Sequence, residues 1–359
     1  MSLVTAMQKA TVDRLQTAGL WSKMVLPETS HWMNRFLPKK VQTLLPHHPK
    51  LKPLFLICET VNVCNSACVF CPYTQQTRSK GTMTMHLFEK IVQDYISMGG
   101  GTLSLTPMVG DVLLDKKLID RLDILEQHRS SILPSITTNL FALERLSDDQ
   151  VRRLIKVMCK VHLSCYGLSA EEGFKITKTR QYDKFVRNLR RFGELWQEVK
   201  SPCRLAIGFR LLQSPAKKEI EDFIHQNLGV MVPYGFTYNY ANWGNSLSGE
   251  LPGDAEWLPV SENREACLLP LFGMQVYWDG RVSACACCDY DASEELYLGN
   301  VSRENLVTLF NSRLNQRIWT QQESGNLPNI CRNCTFHQPI NSIHVQHPLK
   351  TDPTEFLGG

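Results

Sequence analysis

Short apolar runs alternate with amphipathic stretches between Leu54 and Tyr240, and this alternation limits the possible folds more than any other feature of the sequence. The apolar runs have the length and composition of strands and comprise residues 54–59, 102–106, 132–138, 160–166, 204–212 and 230–240. The amphipathic stretches have helical spacing and comprise residues 84–98, 116–128, 146–158, 182–198 and 216–227. This order predicts a parallel sheet with helices outside. Six units are fewer than the eight of a closed barrel, so we expect an α/β fold with a partial (β/α)6 TIM-type barrel over residues 51–240.

The flanking segments differ from this pattern. Residues 1–50 begin with helical apolar spacing and continue with several prolines, which predicts an N-terminal helical leader. Residues 241–266 are rich in Gly, Pro, Ser and Asn and predict a linker. Residues 267–336 contain six of the 13 cysteines and predict a small cysteine-rich domain, whereas residues 337–359 predict a loosely ordered tail.

Composition excludes several classes of protein. The net charge of +4 over 359 residues is too small to indicate a nucleic-acid partner. No run of 18 apolar residues is present and the N-terminus lacks the apolar stretch of a signal peptide, so we expect no membrane span and a cytoplasmic location. An odd number of cysteines in such a chain argues against a disulfide framework and favours metal or iron–sulfur ligands.

The first cysteine group follows the first predicted strand directly. Cys64, Cys68 and Cys71 have the spacing C-x3-C-x2-C, which allows one short loop to reach three irons of a cubane cluster. The fourth iron would then have no thiolate at this spacing, and an open coordination position is what catalysis requires. The alternative is a zinc site in which Cys58 or His86 supplies a fourth ligand.

The second cysteine group surrounds a predicted hairpin, in which Asp279 and Gly280 form the turn between QVYW and RVSA. A helix is expected near residues 303–318, before the closing C-x2-C. Four thiolates would occupy every iron of a second cluster, and zinc is the alternative. The predicted ligands are Cys267, Cys285, Cys331 and Cys334. Cys287 and Cys288 are additional, and Cys287 is an alternative to Cys285.

The segment around the first cysteines resembles the radical S-adenosylmethionine (SAM) superfamily. Its sequence is ICETVNVCNSACVFCPY, with Glu59 before the first cysteine, Asn65 just after it and the aromatic Phe70 before the last. Further segments resemble the family in the same order: SKGTMTMHLFEKIV, LSLTPMVGDVLLDKKLIDRL, SITTNL and HLSCYG. Two departures are Val112 in place of a proline and Tyr166 in place of a common aspartate.

The resemblance implies a cofactor set and a group of residues that contact it. SAM would bind the open iron, and its reductive cleavage would yield a 5′-deoxyadenosyl radical that abstracts hydrogen from a C–H bond. Phe70 would lie beside adenine, while Gly110 and Asp111 would meet the methionine amino group. The residues expected at the ribose and carboxylate are Thr138, Asn139, Ser164 and Arg210.

The C-terminal region is similar to the auxiliary-cluster domains that follow many radical SAM barrels. Gly280 is followed five residues later by Cys285, as in both the long (SPASM) and the short (twitch) forms. No cysteine follows Cys334, so the resemblance implies a small α+β twitch domain with one auxiliary 4Fe–4S cluster. The expected cofactors are therefore SAM and two 4Fe–4S clusters, with an electron donor such as flavodoxin or ferredoxin as a partner.

Radical SAM enzymes with a twitch domain, which this sequence resembles, are dehydrogenases, epimerases or peptide maturases. They differ in what happens to the substrate radical. In such enzymes, peptide substrates usually come with an N-terminal recognition domain, and the fifty residues before the first strand are too few for one. We therefore expect dehydrogenation or epimerisation of a small, non-peptidic, sugar-like or polyhydroxylated substrate. Cys287 and Cys288 are candidate hydrogen donors for an epimerase. Candidates for lining the substrate cavity are Tyr73, Tyr238, Trp243 and Asp289. The alternatives are a peptide maturase, a decarboxylase of a sugar acid, and a non-catalytic iron–sulfur or zinc scaffold.

Overall fold

The computed structural model describes residues 51–262 and 265–339. The predicted leader at 1–50 and residues 340–359 of the predicted tail lie outside the described residues. The strands are β1 Phe55–Cys58, β2 Gly101–Ser104, β3 Ile132–Thr138, β4 Lys160–Tyr166, β5 Arg204–Arg210, β6 Tyr234–Thr237, β7 Asn239–Tyr240, β8 Glu256–Trp257, β9 Gly273–Val276, β10 Arg281–Ser283 and β11 Tyr297–Asn300. The helices are α1 Met85–Ser97, α2 Leu118–Gln127, α3 Asp148–Val157, α4 Ala170–Thr177, α5 Tyr182–Val199, α6 Lys217–Leu228, α7 Leu268–Phe272, α8 Leu306–Phe310, α9 Arg313–Ser324 and α10 Asn329–Arg332.

The six predicted barrel strands form one parallel sheet in the order β1-β2-β3-β4-β5-β6. Helices α1, α2, α3, α5 and α6 follow these strands in turn and pack against their neighbours in sequence. The apolar residues of the strands and of the inner helix faces form one main hydrophobic core, because each amphipathic helix buries its apolar face against the sheet. The partial α/β barrel predicted from the alternation is therefore confirmed.

The C-terminal strands extend the same sheet beyond β1, which the sequence did not indicate. Strand β9 runs parallel to β1, with Leu56 opposite Met274, and β10 and β11 follow in antiparallel order. The backbone N–H of Glu59 donates to the carbonyl oxygen of Val276 at 2.8 Å. The turn at Asp279 and Gly280 joins β9 to β10 as predicted, and the C-terminal cysteines are thereby held close to the loop after β1.

Three elements differ from the sequence-based expectation. Helix α4 was not predicted; it is short, and Ser169 caps its N-terminus by accepting a hydrogen bond from the N–H of Glu172. The helix expected at 303–318 is divided into α8 and α9, because the hydroxyl of Ser312 caps a new helix there. The strand expected at 230–240 is divided into β6 and β7, and β7 pairs with β8 inside the predicted linker.

No helix within the described ranges is both long enough and apolar enough to cross a membrane.

Candidate active site

A cavity of about 610 Å³ occupies the interior of the barrel and its mouth. Its walls come from the loop after β1, the loop after β2, the inner faces of β3 and β4, and the segment after β10. Loops at the carboxyl ends of parallel strands meet at one end of a barrel, which is why residues far apart in sequence share this cavity.

The three cysteines of the loop after β1 lie together on one wall. Cys64, Cys68 and Cys71 all line the cavity. Burial raises the pKa of Cys64 to about 12 and that of Cys71 to about 11, and the charge of the Cys71 thiolate contributes to the raised pKa values of Cys64 and Cys68. Buried thiols of this kind keep their protons until a metal replaces them. The three residues fit an iron–sulfur cluster with three protein ligands, next to open cavity space.

Asp111 braces the loop after β2 against the end of β3. Its carboxylate accepts hydrogen bonds from the Thr138 hydroxyl at 2.9 Å, from the N–H of Asn139 at 2.8 Å and from the N–H of Leu113 at 2.9 Å. The Asn139 amide in turn donates to the side-chain oxygen of Asn65, beside the first cysteine, at 2.9 Å. Burial raises the pKa of Asp111 to about 6. The carboxylate thus ties the loop after β2 to the end of β3, and the Asn139 side chain extends the link to the cysteine loop.

Gly110 lets the loop after β2 approach the cysteine loop. Its φ is +151°, and a β-carbon at this position would lie 3.0 Å from Cγ of Pro107 and 3.1 Å from the carbonyl oxygen of Val63. The neighbouring N–H of Asp111 donates to that same carbonyl at 2.9 Å. Only glycine combines this backbone conformation with so close an approach.

Four aromatic side chains form the side of the cavity near the last cysteine of the first group. The Phe70 ring stacks on Tyr240 with a centroid distance of 4.1 Å and lies 6.1 Å from the ring of Tyr166. The indole N–H of Trp243 donates to the carbonyl oxygen of Phe70 at 2.9 Å. All four aromatic residues line the cavity.

Strands β4 and β5 supply polar and charged groups to the opposite wall. Ser164 and Arg210, the two residues expected to contact SAM here, both line the cavity. Lys160 and His162 also line it and were not singled out from the sequence. The alternation of β4 was the available signal, because residues 160, 162, 164 and 166 lie on one face of a strand.

The four predicted C-terminal ligands form one group. Each of the six pairs among Cys267, Cys285, Cys331 and Cys334 is close enough that one thiolate raises the pKa of the other. This mutual closeness fits a cluster with four protein ligands. Within the described ranges, no three His, Cys, Asp or Glu side chains are arranged as a site for a single metal ion.

Cys287 and Cys288 face the cavity. Both line it, on the wall formed by the segment after β10. The Sγ of Cys288 lies 3.7 Å from the Sγ of Cys287 and 3.4 Å from the Sγ of Cys334. Cys288 thus lies between the cavity and the group of four thiols, and Cys287 is also close enough to Cys267, Cys285 and Cys334 that their thiolates raise its pKa.

Of the four residues expected to line the substrate cavity, only Trp243 lines it. The other three lie elsewhere. Asp289 is buried, where it accepts hydrogen bonds from the Ser283 hydroxyl at 2.6 Å and supports the turn after β10. The Tyr73 ring instead lies under the ammonium group of Lys80 at 4.5 Å. Tyr238 connects β6 to β7, and its carbonyl oxygen accepts from the N–H of Glu256.

Two family models match the sequence and together cover more than half of it. The model of the radical SAM superfamily matches residues 58–203, and the model of the SPASM iron–sulfur cluster-binding domain matches residues 267–335. Comparison with curated proteins gave no match.

Solved structures of several other proteins have a similar fold. A crystal structure of BtrN in complex with AdoMet and 2-DOIA shares 16% identity, covers 79% of this chain and 93% of its own, and has a TM-score of 0.52. A crystal structure of Streptococcus suis SuiB bound to the precursor peptide SuiA shares 14% identity, covers 84% of this chain and 75% of its own, and has a TM-score of 0.57. At these identities the likeness shows the fold.

The two family models, the three cysteines at the mouth of a partial barrel and the group of four C-terminal thiols lead to one assignment. The chain belongs to the radical SAM superfamily, in the branch with a C-terminal SPASM or twitch iron–sulfur domain, and its cofactors are SAM and two iron–sulfur clusters.

Proposed function

We propose that this radical SAM enzyme epimerises a carbon centre of a non-peptidic, polyhydroxylated small molecule. One observation carries the proposal: Cys287 and Cys288 line the same cavity as the three cysteines of the loop after β1. A substrate in this cavity would have a hydrogen-abstracting group on one side and a thiol on the other. Return of hydrogen to the opposite face of a carbon inverts its configuration.

The chemistry divides between the cofactors and this chain's own residues. When bound, the first cluster and SAM supply a 5′-deoxyadenosyl radical, which takes one hydrogen atom from a substrate C–H bond. Cys287 then donates the hydrogen atom of its S–H to the substrate carbon and becomes a thiyl radical. One electron from an external donor such as flavodoxin or ferredoxin, together with one proton, restores the thiol.

The position of the two thiols favours Cys287 as the donor. Cys287 is half-buried at the cavity wall, whereas Cys288 is buried and lies between Cys287 and Cys334. The sulfur atoms of Cys288 and Cys334 give the electron that restores Cys287 a short path from the group of four C-terminal thiols. Cys288 is then a positioning residue.

The size of the cavity supports a small substrate. Pockets for a single drug-sized ligand have volumes of about 300–1,000 Å³. The cavity of about 610 Å³ must hold the first cluster and SAM as well as the substrate, which favours a small substrate.

Dehydrogenation is the second candidate, and the 3.4 Å separation of the Cys288 and Cys334 sulfurs favours it. In that reaction the substrate radical loses one electron and one proton to give a carbonyl, and the C-terminal domain accepts the electron. The two candidates differ in their products, because epimerisation leaves the oxidation state of the substrate unchanged.

Turnover in deuterium oxide tests the proposal. The reconstituted enzyme is incubated with SAM, a reductant and a panel of cyclitols and hexoses, and the products are analysed by mass spectrometry and NMR. We expect one carbon-bound deuterium in an epimeric product, and we expect Cys287→Ala to form 5′-deoxyadenosine without that product. Cys203→Ala is the matched control, because Cys203 is buried and lies outside the cavity lining.

Two results would contradict the proposal. One is a carbonyl product with no incorporated deuterium, which would establish dehydrogenation. The other is an epimeric product with incorporated deuterium that still forms in folded Cys287→Ala.

A further inference from the structure

Three uncharged polar side chains form one layer of the barrel wall, contributed by β3, β4 and the segment just after β2. Thr137 on β3 lies opposite His162 on β4 in the parallel register. The hydroxyl oxygen of Thr106, after β2, accepts a hydrogen bond from the backbone N–H of Thr137 at 2.7 Å. Neighbouring strands are about 4.8 Å apart, so the three side chains stand next to one another. All three line the cavity and are only half-buried.

This layer lies one step deeper in the barrel than two residues expected to contact SAM. Asn139 and Ser164 each follow a member of the layer by two residues along the chain. Residues two apart on a strand point to the same face and are about 7 Å apart. A molecule bound next to SAM on the inner side of the cavity would therefore meet the layer of Thr106, Thr137 and His162.

The layer has hydrogen-bonding capacity that the protein does not use. The Thr106 hydroxyl oxygen accepts from the N–H of Thr137, which leaves its own proton available to another acceptor. The buried Nε2 atom of His162 has no hydrogen-bond partner among the described residues. Buried polar atoms of folded proteins nearly always have a partner, because an unpaired one costs free energy. A bound molecule could supply the partners that this wall lacks.

A glycine on the next strand makes room for the imidazole. A β-carbon at Gly208 on β5 would lie 2.3 Å from Nε2 of His162 and 3.1 Å from Cε1. Real β-carbons do not approach other atoms so closely, so any side chain at this position would displace the ring. The position of the imidazole in the cavity wall therefore depends on glycine at residue 208.

The chemistry of the layer suits hydroxyl groups. Burial, together with the nearby charges of Arg210 and Lys160, lowers the pKa of His162 to about 3, so the imidazole is neutral at pH 7. A neutral imidazole has one donor and one acceptor nitrogen, and a threonine hydroxyl can both donate and accept. A substrate hydroxyl also does both, so it can pair with any member of the layer, whichever tautomer the imidazole adopts.

We infer that Thr106, Thr137 and His162 bind neighbouring hydroxyls of the substrate and thereby determine which polyols the enzyme accepts. Each residue pairs with a hydroxyl that reaches this wall, and a ring that lacks one of these hydroxyls leaves a polar group of the protein unpaired. The inference rests on the proposed function and deepens it, because it assigns the residues that select the hydroxyl pattern of the substrate.

Binding to the holoenzyme without turnover tests this subsite. Reconstituted protein with saturating SAM and no reductant is titrated calorimetrically with myo-inositol and glucose, and then with the single-deoxy derivatives of each. A deoxy derivative has the same charge and ring as its parent and lacks one hydroxyl. We expect at least one parent to bind, and we expect removal of a particular hydroxyl to weaken its binding about five-fold or more, because a buried polar group then loses its partner.

Variants connect the hydroxyl preference to the layer. Thr137→Val removes the hydroxyl and keeps the shape, so parent and deoxy derivative should bind it within about two-fold of each other, whereas Thr137→Ser should keep the difference. His162→Leu should likewise lose a hydroxyl preference that His162→Gln keeps in part, and Gly208→Ala should resemble His162→Leu because it displaces the ring. Thr320→Val is the matched control, because Thr320 is exposed on α9 and does not line the cavity. Far-UV circular dichroism checks that each variant is folded.

Equal binding of every deoxy derivative and its parent overturns the inference, and so does the absence of measurable binding by both parents. A hydroxyl preference that persists unchanged in folded Thr137→Val and His162→Leu overturns it as well. None of these results depends on the fate of the substrate radical, because the titrations contain no reductant. Deuterium in an epimeric product without any hydroxyl preference would remove only the subsite, whereas a confirmed subsite without Cys287-dependent deuterium incorporation would remove only the epimerase proposal.

Discussion

Removal of the Arg78 guanidinium should destabilise the protein strongly. Arg78 forms a bidentate ion pair with Glu59, with distances of 2.7 Å from Nη1 to Oε1 and 2.9 Å from Nη2 to Oε2. The side chain of Arg78 is 2% exposed and that of Glu59 is 0% exposed. The Arg78 Nε also donates to the carbonyl oxygen of Tyr290 at 3.0 Å, so the pair joins the loop after β1 to the C-terminal domain.

The magnitude follows from burial. Loss of one partner of a buried pair leaves an uncompensated charge and costs about 3–5 kcal/mol. In Arg78→Met, the Glu59 carboxylate would retain one weak donor, the N–H of Trp278 at 3.5 Å. We therefore expect Arg78→Met to lose about 3–5 kcal/mol of the free energy of unfolding. The double variant Glu59→Leu with Arg78→Met should lose less than the sum of the two single variants, because no charge is left buried.

Anaerobic urea unfolding of the holoenzyme, followed by far-UV circular dichroism, measures these differences. Arg152→Met is a control that breaks a pair with Glu198 on the surface, where solvent weakens ion pairs, and it should change stability little. A loss below about 1 kcal/mol for Arg78→Met, or full additivity in the double variant, would refute the reasoning.

Three further predictions concern the cysteines, a close packing contact and pH. Cys285→Ala should lose about four of about eight irons but still cleave SAM to 5′-deoxyadenosine, and loss of cleavage in folded protein would contradict the division of ligands. Gly81→Ala should lose about 1–3 kcal/mol of unfolding free energy, because its β-carbon would lie 2.5 Å from the Trp278 indole. Gly235→Ala is the control and should keep its stability, because its β-carbon would meet nothing within 4 Å. In the folded protein the pKa of His162 is lowered to about 3, so its imidazole stays neutral near pH 6. In the unfolded protein the imidazole gains a proton below about pH 6.5, so the free energy of unfolding falls as pH falls. Between pH 7 and 5.5 this should cost about 1 kcal/mol in urea unfolding, and an equal pH dependence in His162→Gln would disprove it.

Local sequence patterns were sufficient for the barrel and for the residues that surround the first cysteine group. The strands and helices of the barrel follow from apolar periodicity, which a few neighbouring residues encode. The loops at the ends of parallel strands converge by topology, so Gly110, Asp111, Thr138, Asn139, Ser164 and Arg210 all line the cavity with Cys64, Cys68 and Cys71. The spacing of the cysteines likewise indicated two separate groups. The first three cysteines lie in one short loop, and how far such a loop can reach depends only on its length.

Contacts between distant segments were decided by the tertiary structure. No periodicity indicates that β9 pairs with β1, that Arg78 meets Glu59 and Tyr290, or that Cys287 faces the barrel cavity. The composition of a segment determines which face of a strand is apolar, but the relative placement of two strands depends on how the whole core packs. The sequence therefore determined the superfamily and its two clusters, whereas the folded chain decided which thiols, cations and hydroxyls share one cavity.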